Sequence, residues 1–411
     1  MISNKKIAIV YDWIDKWGGV ERVLLTLHEM FPQAEFFTTY YDSENAAWAK
    51  NLKIKTSFIQ RLPQIIKANR ILSLPFYPYI FETFDFSDYE LVISVTSSFA
   101  KSVFTKSGTL HICYLLTPTR YLWFLQDEYI KNKSVKLLLS PYLAKLREWD
   151  FIVAQRPDHI FSISQTVARR CRKFYKRESE VIYPPFDIEY WNTIKSKIKN
   201  PKSTHSTSSG LILNKVEGSK SQFKNLRYFL VVSRLEPYKK IDLLINTFNK
   251  SAIGRSSQSY FLVVVGEGSE LNYLKQIAGE KIVFLNNLSD QELGYLYNNA
   301  QALIMPQEED FGYVSLEAQF FSCPVIAYRK GGALETVVEG KTGIFFDEQS
   351  VESLQKVLRR YSMVKYSLKS TTREFGEKNI DSFSRVKFER DFSTLLNSKL
   401  KTQRLKGRII S

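Results

Sequence analysis

The stretch Ala300–Gly343, AQALIMPQEEDFGYVSLEAQFFSCPVIAYRKGGALETVVEGKTG, decides the fold class. Ala302 to Met305 is a short apolar run stopped by Pro306, and Pro324-Val325-Ile326-Ala327 is a second. Runs of this kind are strands of a parallel sheet covered on both faces. Between them Glu309 sits in a loop, and Phe311-Gly312-Tyr313 opens a helix carrying Glu317. Acids at this spacing share one helix face only roughly, but with the first in the loop both can converge on a ligand at the helix N-terminus. Unpaired amides and the positive end of the helix dipole make that terminus a phosphate seat. A carboxylate there needs hydroxyls to face. Together they point to a ligand with sugar hydroxyls and phosphates, such as a nucleotide sugar. A second glycine turn, Gly331-Gly332 with Glu335, follows.

Upstream, Tyr228 to Val232 reads as a strand whose loop, Ser233 to Lys240, holds Arg234 and Lys239. Fixed cations of this kind can stabilise charge on a departing diphosphate. Ile241 to Asn249 is an amphipathic helix, Tyr260 to Val265 a strand ending in Gly266-Glu267-Gly268, Ile282 to Leu285 a strand and Asp290 to Asn299 a helix. Beyond Phe346, Ser350 to Tyr361 reads as a helix.

The first half repeats the rhythm. Ile7 to Tyr11 is a strand, Gly18 and Gly19 turn the chain into a helix reaching about Met30, and strands follow at Phe36–Tyr40, Glu90–Val95, His111–Leu116, His159–Ile163 and Val181–Tyr183. The loops Thr96-Ser97-Ser98 and Thr117 to Tyr121 lie beyond strand ends, where open α/β sheets bind ligands. The Gly-Gly turn without G-x-G-x-x-G argues against a dinucleotide fingerprint, and so against an epimerase. The expected architecture is α/β, two Rossmann-like doubly wound domains facing a cleft. Residues 1–192 form the acceptor side and 225–379 the nucleotide-sugar side. A polar linker spans 193–224, a helix at 380–397 returns to the first domain, and 398–411 is a basic tail.

The composition, 44% hydrophobic and 24% charged over 411 residues, is that of a soluble globular chain. No apolar run approaches a bilayer span of about 18–20 residues. MISNKKIAIVYDW reads as a first core strand rather than a signal peptide. Three cysteines and four histidines are scattered without metal-like spacing, and no Asp-x-Asp pair occurs, so neither metal nor other cofactor is expected. The net charge of +16 fits nucleic acid, an anionic membrane or an anionic substrate. Its densest cluster is RRCRKFYKR, Arg169 to Arg177, with more basic residues from Lys399 to Arg408. A nucleic-acid reading leaves the acids and glycine turns unexplained, so an anionic substrate and an anionic membrane surface are the expected partners.

The pattern E-D-F-G-x-x-x-L-E-A, followed by P-V-I-A and G-G-x-x-E-T-V, resembles the retaining family 4 (group 1) glycosyltransferases, whose mark is two Glu separated by seven residues, as Glu309 and Glu317 are. The resemblance implies that Arg234 and Lys239 hold the donor diphosphate, that Glu309 contacts the transferred sugar and that Glu317 binds ribose hydroxyls. It places the amides at Gly312 and Tyr313 on the phosphates, Phe311 among the donor-binding residues, Gly266 and Gly268 at the base, and Gly18 with Gly19 near the phosphates. Arg120 and Ser98 are acceptor-side candidates. The stretches VISVTSSFAKSV, HICYLLTPTRYLW, VIYPPFD and SRLEPYKKID are similar to GDP-mannose-dependent mannosyltransferases. The implied activity is retaining, metal-independent transfer of a sugar to a glycan or lipid-linked acceptor in polysaccharide or glycoconjugate synthesis, in the cytoplasm at the inner face of the membrane. One position departs: relatives read His before Thr-Pro-x-Arg-Tyr, where this chain has Leu116. That departure motivates the alternative of a catalytically impaired nucleotide-sugar-binding relative.

Overall fold

The computed structural model describes residues 5–67, 73–130, 132–199, 227–250 and 260–410. Among these, β1 (Ile7–Tyr11), β2 (Glu35–Thr38), β3 (Lys53–Thr56), β4 (Leu91–Thr96), β5 (Leu110–Leu115), β6 (His159–Ser162) and β7 (Glu180–Val181) form one sheet, in the order β3-β2-β1-β4-β5-β6-β7. A second contains β8 (Tyr228–Val232), β9 (Phe261–Val265), β10 (Ile282–Leu285), β11 (Leu303–Met305), β12 (Val325–Tyr328) and β13 (Gly343–Phe346), in the order β10-β9-β8-β11-β12-β13. Both pair in parallel. In each sheet the chain starts in the middle, builds one wing, then returns to build the other. The direction of building reverses between β1 and β4 and between β8 and β11, and at such switch points the loops beyond the strand carboxyl ends part to admit a ligand.

The central strands are buried along their whole length, as IAIVY in β1 and LVISVT in β4 show. Helices cover both faces, as parallel sheets require. The second unit's core joins Phe229, Leu244, Leu262, Ile304, Ile326 and Tyr361. β3 and β13 were not singled out by the sequence pattern. The first reads KIKT, a half-exposed edge strand with one apolar residue, and the second is a short run opened by a glycine.

The chain divides into a unit of Met1–Pro185 with Arg385–Ser411 and a unit of Phe186–Ser384. The break thus falls before the expected 192. The helix Ile188–Lys199 belongs to the second unit, because Trp191, 1% exposed, packs its ring 5.7 Å from Phe321, and Tyr190 donates a hydrogen bond to Asp290. Hence the first residues of the expected linker, from Thr193, are helical; the remainder, with Leu211-Ile212-Leu213, lies outside the described residues. The last helix, Arg385–Ile410, is part of the first unit, with Phe388 and Phe392 set 5.9 and 6.4 Å from Tyr114.

Two helices exceed what the sequence reading assigned. Val351–Asp381 continues past Tyr361, burying Leu368, Thr372, Gly376 and Ile380. Lys133–Val153 runs through Pro141 in its interior. Proline there removes a backbone donor and normally breaks a helix. Burial of Leu143, Leu146, Asp150 and Val153 beyond it keeps the segment helical.

Candidate active site

The loops leaving β8 and β11 carry the second unit's chemistry. After β8, Leu235 N–H donates to the carbonyl of Glu267 at 2.8 Å, and Pro237–Lys239 forms a single 3₁₀ turn. Lys240 closes that turn in the left-handed region, at φ 54°. This conformation aims Lys239 inward: its side chain is 10% exposed, and Nζ stands 2.5 Å from Glu309 Oε1. Arg234 is exposed and donates to the Tyr238 hydroxyl at 3.3 Å, while Lys239 Nζ lies 5.2 Å from the centre of the Tyr238 ring. The two cations therefore flank one tyrosine.

Glycines set the approach of these loops. A Cβ on Gly266, whose φ is +145°, would lie 1.9 Å from the Ser233 carbonyl oxygen, and one on Gly268 would lie 2.3 Å from that of Leu235. Only glycine lets the β9 loop press on the backbone beside Arg234. The Gly331-Gly332 turn does the same for Glu309. Gly332 N–H donates to the Glu309 carbonyl at 2.7 Å, and a Cβ on Gly331 would sit 2.3 Å from that oxygen.

Gly312, at φ 92° and ψ 58°, precedes the helix Tyr313–Phe320, and no side chain caps the first turn. Phe311 is buried beside Tyr313, with ring centres 5.4 Å apart. Glu317 is interior, 4% exposed, and its Oε2 accepts the Tyr297 hydroxyl at 3.0 Å.

One residue of this centre escaped the sequence reading. Gln307, 1% exposed, donates from Nε2 to Glu309 Oε1 at 2.6 Å, and its own Oε1 has no hydrogen-bond partner among the described residues. A buried amide oxygen left so is costly unless a ligand or solvent pairs with it. The sequence clue was its place directly after Pro306, at the end of β11.

Gly18, Gly19, Ser98 and Arg120 belong to the first unit. Gly18 lies against Glu21 Oε2, 3.1 Å from where a Cβ would stand. Burial pushes the Glu21 carboxyl up to about 7, and Oε2 lacks a partner among the described residues. Ser98 is 2% exposed and serves the fold: its N–H donates to Thr96 Oγ1 at 2.9 Å and its carbonyl accepts from Lys101 and Thr119. It therefore lies in the interior of the first unit. Arg120 opens the short helix Arg120–Trp123 and is partly exposed.

The organiser of this corner is Asp12, also unnoticed in the sequence. It follows β1 and accepts from Thr96 Oγ1 and from the N–H groups of Ser97, Phe99 and Ala100 at 2.7–2.9 Å, so one carboxylate shapes the β4 loop at the switch point. Among the described residues no three His, Cys, Asp or Glu side chains gather as a metal-holding group.

Fold and site together define an α/β protein whose second unit joins an acid, two cations and an uncapped helix N-terminus at a sheet switch point. Residues 215–376 match the family model of glycosyl transferases group 1. It is 27% identical over 203 residues to alpha-1,3/1,6-mannosyltransferase ALG2 of Dictyostelium discoideum, covering 44% of this chain and 46% of that one. It is 34% identical over 136 residues to the GDP-mannose-dependent alpha-(1-6)-phosphatidylinositol monomannoside mannosyltransferase of Mycolicibacterium smegmatis, covering 30% of this chain and 35% of that one. The match thus spans less than half the length of these curated relatives. Among solved structures, sucrose-phosphate synthase of Thermosynechococcus elongatus superposes with a TM-score of 0.70 at 15% identity, covering 97% of this chain and 100% of that one. Anabaena HepE in complex with UDP gives 0.64 at 15% identity, covering 96% and 100%. The fold is the GT-B type.

Proposed function

We propose that the protein transfers a sugar from a nucleotide-sugar donor to a glycan or lipid-linked acceptor, with retention at the anomeric carbon and without a metal. The observation that carries this reading is the Lys239–Glu309 pair, flanked by Arg234, at the point where β8 and β11 diverge. A diphosphate entering there meets Lys239, Arg234 and the amides at Gly312 and Tyr313. Those cations and amides take up the charge left by the departing sugar. Freed from Lys239, Glu309 turns to sugar hydroxyls, and Glu317 serves the ribose. The mannosyltransferases among the relatives, one of them GDP-mannose-dependent, favour mannose from GDP-mannose; the reading puts the protein in the cytoplasm at the inner face of a membrane.

A thermal-shift screen of GDP-, UDP- and ADP-sugars tests the donor, since the true one stabilises by mass action. A rise in Tm with GDP-mannose alone is expected. Turnover unchanged by EDTA, with an α-linked product by NMR from the α-linked donor, is expected of the mechanism. Binding of no nucleotide sugar refutes the site, whereas binding without transfer to any acceptor selects the impaired relative that Leu116 suggests.

A further inference from the structure

The first unit holds two stretches of one-sided charge. Between Glu44 and Glu82 stand six basic residues and no acid, and between Glu128 and Glu148 five basic residues and no acid. The fold lays parts of these stretches together. The Tyr142 hydroxyl donates to the Leu74 carbonyl at 3.4 Å, and the rings of Phe58 and Phe76 lie 6.1 Å apart. Tyr142 also feels Tyr79, which adds to the effect of burial in raising its phenol.

What this face presents is apolar. The helix Lys133–Val153 turns Leu143, Leu146 and Val153 inward but leaves Leu137 and Leu138 77% and 80% exposed, and Tyr79 is 66% exposed. Lys133 and Lys145 are exposed on the same helix, while Lys136 pairs with Asp127. A contiguous apolar patch on a soluble chain marks an interaction site. Apolar and aromatic side chains rimmed by lysine and arginine suit the boundary between headgroups and acyl chains of an anionic bilayer. No helix among the described residues is long and apolar enough to cross a membrane.

The cluster that the sequence offered for this role is partly spent on the fold. Arg177 donates to the carbonyls of Ala154, Gln155, Pro157 and Asp158, Arg172 pairs with Glu178, and Arg170 lies 4.3 Å from the centre of the Phe124 ring.

We propose that the face of Phe76, Tyr79, Leu137 and Leu138, rimmed by Lys133 and Lys145, seats the protein on an anionic lipid bilayer. The proposal is independent of the transfer reaction, because lipid binding needs no donor. Flotation of the full chain with vesicles of phosphatidylcholine, alone and mixed with phosphatidylglycerol, tests it. Binding to the mixed vesicles is expected, weakening with salt and falling at least about tenfold in Leu137→Ser/Leu138→Ser. Lys133→Glu/Lys145→Glu is expected to lose the preference for phosphatidylglycerol, and Arg169→Ala/Arg170→Ala to keep it. Leu137, Leu138, Lys133, Lys145 and Arg169 are exposed and Arg170 is partly so, and circular dichroism checks that each variant is folded. Failure of the wild type to float with mixed vesicles overturns the proposal. So does undiminished binding by the leucine variant, or a wild-type dimer in gel filtration that this variant dissolves, which would show a second copy covering the face.

Discussion

Lys239 Nζ and Glu309 Oε1 stand 2.5 Å apart, on loops that leave adjacent strands where the order of the second sheet reverses. On the proposed reading, the acid holds the cation in place until a diphosphate competes for it. Lys239→Ala is expected to lower kcat/KM by about 10²–10³, the usual cost of removing one group that stabilises transition-state charge. It also leaves the Glu309 carboxylate with Gln307, costing about 1–3 kcal/mol of stability. Steady-state kinetics with urea unfolding separates the two effects. Near-normal turnover in Lys239→Ala, Arg234→Ala and Glu309→Ala alike would remove this centre from catalysis.

Gly331 bears on the proposed site through the backbone of Glu309. Its φ of +69° and the Glu309 carbonyl 2.3 Å from any Cβ leave no room for a methyl group. Gly331→Ala is expected to cost about 3 kcal/mol and to shift the loop that holds Glu309. The check is the split between kcat and KM at a temperature where the variant remains folded: a displaced acid lowers kcat, whereas a purely structural role lowers only Tm.

The second unit was the more legible. Its strands are short apolar runs cut off by Pro306 or a glycine turn, and Arg234, Lys239 and Glu309 stand in loops beyond strand ends, where topology puts ligands. That Lys239 meets Glu309 was not readable, because the contact joins residues seventy apart through the strand order. The roles of Gly266, Gly268 and Gly331 were also hidden, since each depends on a neighbouring loop's backbone oxygen. Asp12 and Gln307 looked like ordinary loop residues, because a buried acceptor announces itself only through its donors. The helix through Pro141 was not assigned from the sequence: proline disfavours a helix interior locally, and burial of the residues beyond it outweighs that preference.

Glu21 makes the first unit sensitive to pH. Its carboxyl moves from an ordinary 4.5 up to about 7, first through burial, with Asp15 adding to the shift. A raised acid binds its proton more tightly folded than unfolded, so its stabilising contribution is complete below about 4.5 and is lost as pH rises through about 7. The loss is on the order of 3 kcal/mol by the usual conversion of pKa shift to free energy. Glu21→Gln is expected to match the wild type in Tm at pH 4.5 and exceed it at pH 8. Parallel Tm profiles for the two proteins across that interval would show that Glu21 is not the group responsible.

Asp150 fixes the segment that leads into Arg120. The carboxylate is fully buried and accepts from Lys101 at 2.6 Å, Trp123 Nε1 at 2.7 Å, the Tyr175 hydroxyl at 2.9 Å and Thr119 Oγ1 at 3.1 Å. Removing its charge strands the Lys101 ammonium in the interior, a loss of about 3–5 kcal/mol when one member of a buried pair goes. Asp150→Asn is therefore expected to lose that much stability in urea. Lys101→Met/Asp150→Asn is expected to recover a large part, because no lone charge is then buried. A double variant no more stable than Asp150→Asn would mean that the hydrogen bonds from Trp123, Tyr175 and Thr119, rather than the ion pair, secure this part of the first unit.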